Sequence, residues 1–340
     1  IYFRQRVAID VSVRDVTSSM LDQKVSMPVA LAPIGLTGMQ CADGEIKAAK
    51  AAEKFGVPYI LSTMSIASIE DVAAKVKSPF WFQLYAMRDE DFISRLIKRA
   101  KDAKCSALML TLDLQILAQR HNDIRNGLSV PPRPTLSNIL NLASKGKWLY
   151  EMLGAKRWHF GNIVGHVKDI SDTSSLASWV ADQFDPGLDW NRVAKIKEEW
   201  GGKLILKGIL DPQDALMAEK VGADAIVVSN HGGRQLDGAT STIRALPKIL
   251  DTLKTKIEVY IDGGISSGQE VLKSIAMGAD GTLIGKAYIY GLGSFGETGV
   301  IKTLEIIHKE LDYSMALCGK KNLNELNKDI LLIPEIKKFV

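Results

Sequence analysis

The stretch 204-LILKGILDPQDALMAEKVGADAIVVSNH-231 holds one repeat of the fold. Its first run, LILK, is aliphatic and ends on a lysine. Helical spacing of the apolar residues follows from Pro212 to Val221. Gly222 suits the helix C-cap. The second run, AIVV, is apolar throughout and ends in Ser229, Asn230 and His231. Two strands apolar on both faces and joined through a helix indicate a parallel sheet covered on both sides.

The pattern recurs outward along all 340 residues. PVALAP (28–33), YILS (59–62), PFWFQLY (79–85), ALMLTLD (107–113), EVYIDGG (258–264) and GTLIGK (281–286) bring the set of strand-like runs to eight. Helical spacing fills 43–55, 69–76, 89–103, 190–200, 243–253, 268–277 and 299–317. Eight such units predict an α/β fold, a closed (β/α)8 TIM barrel, over an open sheet. We expect one domain over residues 1–340. The repeated VGAD (221–224) and MGAD (277–280) are read as helix-to-strand turns only.

Composition narrows the class. Hydrophobic residues at 46% and charged residues at 24% exclude wholesale disorder. No run reaches the ~18 apolar residues of a membrane span. A net charge of +4 permits anionic ligands without requiring nucleic acid, which is not expected as a partner. Cys41, Cys105 and Cys318 form no paired motif, so a zinc ribbon or disulfide scaffold is disfavoured and a reducing compartment fits. His121, His159, His166 and His308 lack metal-ligand spacing, and no metal is expected. The sequence begins at Ile1 with no secretory apolar segment and is read as a fragment or a trimmed chain.

One interval is anomalous. About 90 residues separate the fourth and fifth runs, and the excess, 114–186, follows a strand's C-terminal end, where barrels carry their chemistry. We expect it to be a lid or a membrane-contact segment. It contains 145-KGKWLYEMLGAKRWHF-160, where basic residues alternate with aromatic ones as in interfacial segments.

The strand ends carry Ser62, Gln83, Tyr85, Thr111, Asp113, Lys207, Ser229, His231, Arg234, Asp262 and Lys286. Any one could be a capped turn, but polar ends on successive strands would converge on a single cavity. The densest group is 229-SNHGGRQLDG-238. Its glycines allow a sharp turn and close approach to a ligand. An imidazole beside a guanidinium suits proton abstraction from an anionic substrate, since arginine grips a carboxylate by two hydrogen bonds.

SNHGGRQLDG, WFQLY, the Thr111–Asp113 T-x-D, LILKGIL and the glycine pair after Asp262 together resemble the FMN-dependent L-2-hydroxy acid dehydrogenases and oxidases. The resemblance covers nearly the whole chain. Within that family, 33-PIGLTGM-39 and 205-ILKGILDPQDA-215 are most similar to the bacterial respiratory L-lactate dehydrogenases. The resemblance implies FMN as cofactor, His231 as the base, Asp113 as its orienting partner, and Tyr85 as a catalytic and substrate-bonding group. Arg234 and Arg120 would hold the substrate carboxylate. Lys207 would stabilise the negative charge of the reduced flavin, and Ser62, Gln83, Thr111, Ser229 and Asp262 would bond to the cofactor. Ala32, Pro33 and Gly35 would line one ring face, and Gly263, Gly264, Gly285 and Lys286 would hold the phosphate.

The resemblance further implies oxidation of a small L-2-hydroxy acid, L-lactate foremost, with electrons passed to a quinone or cytochrome. It also implies a homotetramer and peripheral attachment to an anionic surface at the cytoplasmic side of the inner membrane. Gly35 stands where family oxidases often carry alanine, which favours a quinone or cytochrome over oxygen. The chain departs from the family at Ser266 and at Lys286, where arginine is usual, so weaker FMN binding is expected. The N-terminal segment that brings another tyrosine to the substrate in the family is absent from this sequence.

Three other readings stay open at this stage. One is an oxidase that reduces oxygen to peroxide. Another is a Schiff-base aldolase using Lys207, and the third is a catalytically silent binding barrel. The run 291-GLGSFG-296 fits the dinucleotide pattern G-x-G-x-x-G but does not directly follow a strand, so it is read as a loop or a helix start.

Overall fold

A computed structural model describes residues 1–118, 120–126, 135–165, 179, 182–255 and 257–334. Eight parallel strands form the barrel: β1 Val29–Leu31, β2 Ile60–Ser62, β3 Trp81–Tyr85, β4 Ala107–Thr111, β5 Lys203–Ile209, β6 Ala225–Val228, β7 Glu258–Ile261 and β8 Gly281–Ile284. Each of β2 to β8 pairs with its neighbours in sequence, β8 pairs with β1, and a parallel bridge from Leu31 to Tyr59 links β1 to the start of β2. The expected TIM barrel is the observed one.

Strand parity divides the interior. Ala30, Ile60, Trp81, Ala107, Met109, Ile205, Ala225, Val227, Tyr260 and Leu283 pack together inside the cylinder. Their neighbours Leu31, Leu61, Phe82, Leu108, Leu110, Leu206, Ile226 and Ile261 face the surrounding helices in a second cluster. A hairpin of Ser18–Met20 and Gln23–Val25 supplies Met20, Leu21 and Val25 to the inner cluster and closes the N-terminal end. The opposite mouth is left to the loops.

The helices are α1 Gly44–Phe55, α2 Ile69–Ala73, α3 Glu90–Asp102, α4 His121–Arg125, α5 Leu136–Ala143, α6 Gly146–Leu153, α7 Trp190–Trp200, α8 Pro212–Lys220, α9 Thr242–Thr252, α10 Gly268–Ala276 and α11 Lys286–Leu317. Asp211 caps α8 by accepting the Gln213 N–H at 2.8 Å, with Pro212 in the first turn. The aspartate of each GAD turn accepts the second amide of the neighbouring strand: Leu204 N–H to Asp224 and Val259 N–H to Asp280, both at 2.8 Å.

One expectation needs correcting. Helical backbone already begins at Lys286, before the expected start near 299, and the end of GLGSFG is the break after which the second helical half begins. The helix breaks at Phe295 and Gly296, and its two halves meet at Gly291 and Gly299. A Cβ on Gly299 would collide with the Gly291 carbonyl oxygen, so Gly291 and Gly299 serve close packing of the two halves while Gly296 marks the break between them.

The described part of the 114–186 insertion leans on the loop after β1. Trp148 Nε1 donates to the Met39 carbonyl at 3.0 Å, and Arg157 bridges Asp43 at 2.7 Å and Asp71 at 2.6 Å. The chain then returns to the barrel at Asn162, which is fully buried and donates to Ser65 Oγ at 3.0 Å while accepting the Ile69 N–H. Leu136, Ile139, Leu140, Leu142, Tyr150 and Leu153 are exposed. Among the described residues no helix is long and apolar enough to cross a membrane.

Candidate functional site

The inward parity continues past the apolar layer into polar residues. One step above Ile60, Trp81, Met109, Ile205, Val227 and Tyr260 stand Ser62, Gln83, Thr111, Lys207, Ser229 and Asp262, all buried. Ser62 Oγ donates to Gln83 Oε1 and Gln83 Nε2 donates to Thr111 Oγ1, both at 3.0 Å. Lys207 Nζ donates to Ser229 Oγ at 2.8 Å and pairs with Asp262 Oδ2 at 3.0 Å. Burial works against the Lys207 charge, but Asp262 and Asp113 outweigh it and hold the ammonium above its ordinary value. The charge of Lys207 is thus favoured by the two carboxylates that face it. Asp262 Oδ1 is buried with no hydrogen-bond partner among the described residues.

Asp113 and His231 meet above this layer, with His231 Nδ1 and Asp113 Oδ1 2.9 Å apart. Two backbone features allow it. A bulge at Lys207 and Ile209 shifts the β5–β6 register, and the intervening Gly208 has φ +107°. A Cβ there would lie 2.7 Å from Asp113 Cγ, so only glycine leaves room for the carboxylate. His231 adopts φ +55°, and its N–H donates to Ser229 Oγ at 3.1 Å. Ser229 Oγ therefore touches both the imidazole-bearing residue and the Lys207 ammonium. Burial pushes the Asp113 carboxyl up, but the His231 hydrogen bond and Lys207 charge bring it below its ordinary value. Asp113 Oδ2 carries no partner among the described residues.

Tyr85 ends β3 on the same inward row and packs edge-on against Phe184. Burial drives its phenol up to about 12, with Lys207, Asp113 and Arg120 as its charged neighbours. It is a hydrogen-bond donor at any physiological pH. Arg120 and Arg234 come together from different loops. Arg120 Nε lies 3.4 Å from the Arg234 carbonyl oxygen and its Nη2 lies 3.3 Å from Gln235 Oε1. Gln235 Nε2 in turn donates to the Asp113 carbonyl at 2.9 Å, tying the loop after β6 to the loop after β4.

The remaining expected positions line the rim. Ala32 accepts the Tyr288 hydroxyl through its carbonyl at 3.0 Å, Pro33 follows, and a Cβ on the exposed Gly35 would meet Met64 at 3.1 Å. Gly263 and Gly264 both take positive φ. Gly285 is the N-cap of α11, whose first turn has no side-chain cap, and Lys286 opens that helix as an exposed residue. Ser266 sends its N–H and hydroxyl to Glu270 Oε2, at 2.7 and 3.0 Å. His166 lies outside the described residues. Among the described residues no cluster of three or more potential metal ligands occurs.

Reading the sequence missed Gly208, Gln235 and Glu45. Glu45 is fully buried and accepts the Gly38 and Ile66 N–H groups at 2.9 Å each, pinning the loops after β1 and β2. A glutamate near the start of an amphipathic helix gives no sign of such a role. The G in LILKGIL was visible as an interruption of a strand, the usual mark of a bulge.

Comparison with known proteins agrees with this geometry. The family model described as FMN-dependent dehydrogenase matches residues 1–333. An (S)-mandelate dehydrogenase described as a monotopic membrane protein is similar at TM-score 0.91 and 31% identity, over 97% of this chain and 87% of its own. A soluble mutant of the membrane-associated (S)-mandelate dehydrogenase from Pseudomonas putida aligns at TM-score 0.81 and 31% identity, over 97% and 87%. A mandelate oxidase mutant with (S)-mandelic acid aligns at TM-score 0.78 and 32% identity, over 95% and 83%.

Proposed function

The chain belongs to the FMN-dependent dehydrogenase family, and from that premise we propose that it oxidises L-lactate to the 2-oxo acid and passes the electrons to a quinone or cytochrome. Oxidation of the CH–OH group of a 2-hydroxy acid with FMN is the family's chemistry. The rim residues fit that cofactor. Hydroxyl, amide, hydroxyl and ammonium groups stand in sequence on the inner wall, and the unpartnered Asp262 Oδ1 would take a donor from a polyol chain. Ser62, Gln83, Thr111, Lys207, Ser229 and Asp262 would hold the ring and its side chain, with Ala32, Pro33 and Gly35 against one face. Gly263, Gly264, Gly285 and Lys286 would hold the phosphate, beside an uncapped helix start that favours anions. FMN supplies the two-electron acceptor.

The protein's own part follows from its charges. With Nδ1 engaged by Asp113, the other nitrogen of His231 is left to take a proton from the substrate. Asp113 fixes the ring and stabilises the imidazolium that results, as the third member of a triad does. Arg234 and Arg120 hold the substrate carboxylate, and Tyr85 donates to the substrate. Lys207 stabilises negative charge where it develops. The observation that carries this reading is the Ser229 hydroxyl, which accepts from both the His231 backbone N–H and the buried Lys207 ammonium.

Anaerobic mixing of the FMN-loaded protein with L-lactate, glycolate and (S)-mandelate is the test, followed by re-oxidation with oxygen or a quinone analogue. L-lactate should bleach the flavin fastest, and the quinone analogue should restore it faster than oxygen. Similarity to mandelate-acting proteins favours a second reading, an aromatic 2-hydroxy acid. Fastest bleaching by (S)-mandelate would establish that one instead.

The same proposal includes one FMN-binding domain, a homotetramer measurable by light scattering, and attachment to an anionic bilayer at the cytoplasmic side of the inner membrane. Support for attachment comes from the exposed Leu136, Leu140, Tyr150 and Leu153 beside exposed Lys145 and Lys147. It comes also from the monotopic mandelate dehydrogenase. Flotation with anionic liposomes should be lost in a Leu140→Glu, Leu153→Glu double variant. Unchanged flotation would count against this surface.

A further inference from the structure

Arg234 is already engaged by a carboxylate of the chain itself. Its Nη2 donates to Asp123 Oδ2 at 2.8 Å, and among the described residues its Nε and Nη1 take no further partner. Asp123 lies three residues after Arg120, whose carbonyl accepts the Ile124 N–H at 3.0 Å in the first turn of α4. That spacing puts Arg120 and Asp123 on one face of the turn. One short helix thus delivers both a cation and an anion to Arg234.

Stability does not account for the pair. The Arg234 side chain is 44% exposed and that of Asp123 29%, and ion pairs so open to water contribute little. Geometry does account for it. Two guanidiniums that approach without an anion repel each other, and Arg234 sits on a loop with positive φ at Gly232, Gly233 and Gly238 that does not fix its side chain. Burial, and after it the Arg234 charge, lower the Arg120 guanidinium below its ordinary value, as expected of two cations held close.

We propose that Asp123 is a positioning residue for substrate recognition: its carboxylate holds one edge of the Arg234 guanidinium so that the opposite edge meets the substrate carboxylate beside Arg120. The proposal rests on the 2-hydroxy acid reading of the site. A rival role for the same contact is an internal competitor that the substrate must displace, and the two differ in sign.

The test uses FMN-loaded wild type, Asp123→Asn and Asp123→Glu. Oxalate, an unreactive carboxylate probe, is titrated by flavin difference spectra, and anaerobic reduction by the best 2-hydroxy acid gives a half-saturating concentration and a limiting rate. Asn at 123 should weaken oxalate and raise the half-saturating concentration by about tenfold, a step of 1.4 kcal/mol. The limiting rate should stay within about threefold, FMN content should not change, and Glu at 123 should recover part of the loss. Tighter oxalate binding in the Asn variant would overturn the proposal in favour of the competitor, and equal binding would overturn both roles. A parallel fall in rate, affinity and FMN content would overturn it in favour of a merely structural role. If no 2-hydroxy acid reduces the wild type, the functional reading fails, while the oxalate titration still decides whether Asp123 aims Arg234 at a carboxylate.

Discussion

The wall of the barrel mouth and the loops above it hold their polar groups in different ways. On the wall, Ser62, Gln83, Thr111, Lys207 and Ser229 are fixed by strand parity, buried, and bonded to one another. Above it, Arg120 and Arg234 stand on loops, partly exposed, with Arg120 on Gln235 and the Arg234 carbonyl and Arg234 on Asp123. On the proposed roles, the wall is a pre-formed cradle for a large rigid group. On the same roles, the loops are adjustable contacts for a small one. His231 belongs to both regions, with its backbone on the wall's Ser229 and its ring on the loop's Asp113.

The largest expected effect lies at that junction. On the proposed roles, His231→Gln should slow flavin reduction by about 100- to 10,000-fold, the usual cost of losing a general base, while FMN stays bound. Stopped-flow reduction alongside the flavin absorbance checks both halves. Loss of FMN together with rate would mean that His231 works mainly as part of the wall.

A wall substitution should behave in the opposite way. Lys207→Met leaves Asp262 buried without its cation and should cost about 3–5 kcal/mol of stability, read from the urea midpoint, together with FMN retention. The pH dependence follows from directions alone. Lys207 is raised, so its contribution is complete below the ordinary lysine value of 10.5 and is lost only as pH climbs through the higher folded value. Asp113 is lowered, so its contribution is present above the ordinary 3.8 and is lost as pH falls through the lower folded value. Between about 5 and 9 neither group should tilt the unfolding midpoint. A slope there that vanishes in Lys207→Met would show that the pair titrates after all.

The same division explains what could be read in advance. Barrel class and wall residues were legible because period-two alternation forces every second residue inward, so LILK and WFQLY name their inward polar members directly. SNHGGRQ was legible as chemistry because of its residue types. Asp123, Gln235 and Glu45 were not, because their roles come from contacts between loops distant in sequence that no local period records. Glycine was half read in one place and passed over in another. GLGSFG reads as a loop or helix start and does contain the break at Phe295 and Gly296, but its Gly291 also packs against Gly299, whereas Gly208 in LILKGIL makes room for Asp113.

Gly208→Ala tests that last point and should have a smaller effect than either change above. Its Cβ would collide with Asp113 at a φ that L residues rarely adopt, a strain of about 1–3 kcal/mol. Asp113 would move off the His231 ring, so reduction should slow by about 10- to 100-fold with FMN retained and the fold intact. An unaffected rate would show that the Asp113 contact is dispensable to His231.

The smallest effect tests the phosphate end, where wall and loop run together. Ser266 stands where the family usually carries arginine, and its N–H and hydroxyl both go to Glu270, as does the Ser267 N–H at 2.9 Å. The start of α10 is therefore occupied by a carboxylate of the chain, and the expected anion-binding charge nearby is that of Lys286. Ser266→Arg would add a planar cation able to bind phosphate through two hydrogen bonds, with Glu270 in place to orient it. FMN should bind about tenfold tighter, measured by quenching of its fluorescence on titration into apoprotein. The gain should shrink in about 0.5 M salt, because an exposed charge is screened over a few ångströms at that ionic strength. Riboflavin, which lacks the phosphate, should gain nothing. Equal tightening of riboflavin and FMN would place the new contact on the ring or its polyol chain, and would move the phosphate site away from Gly263, Gly264 and Lys286.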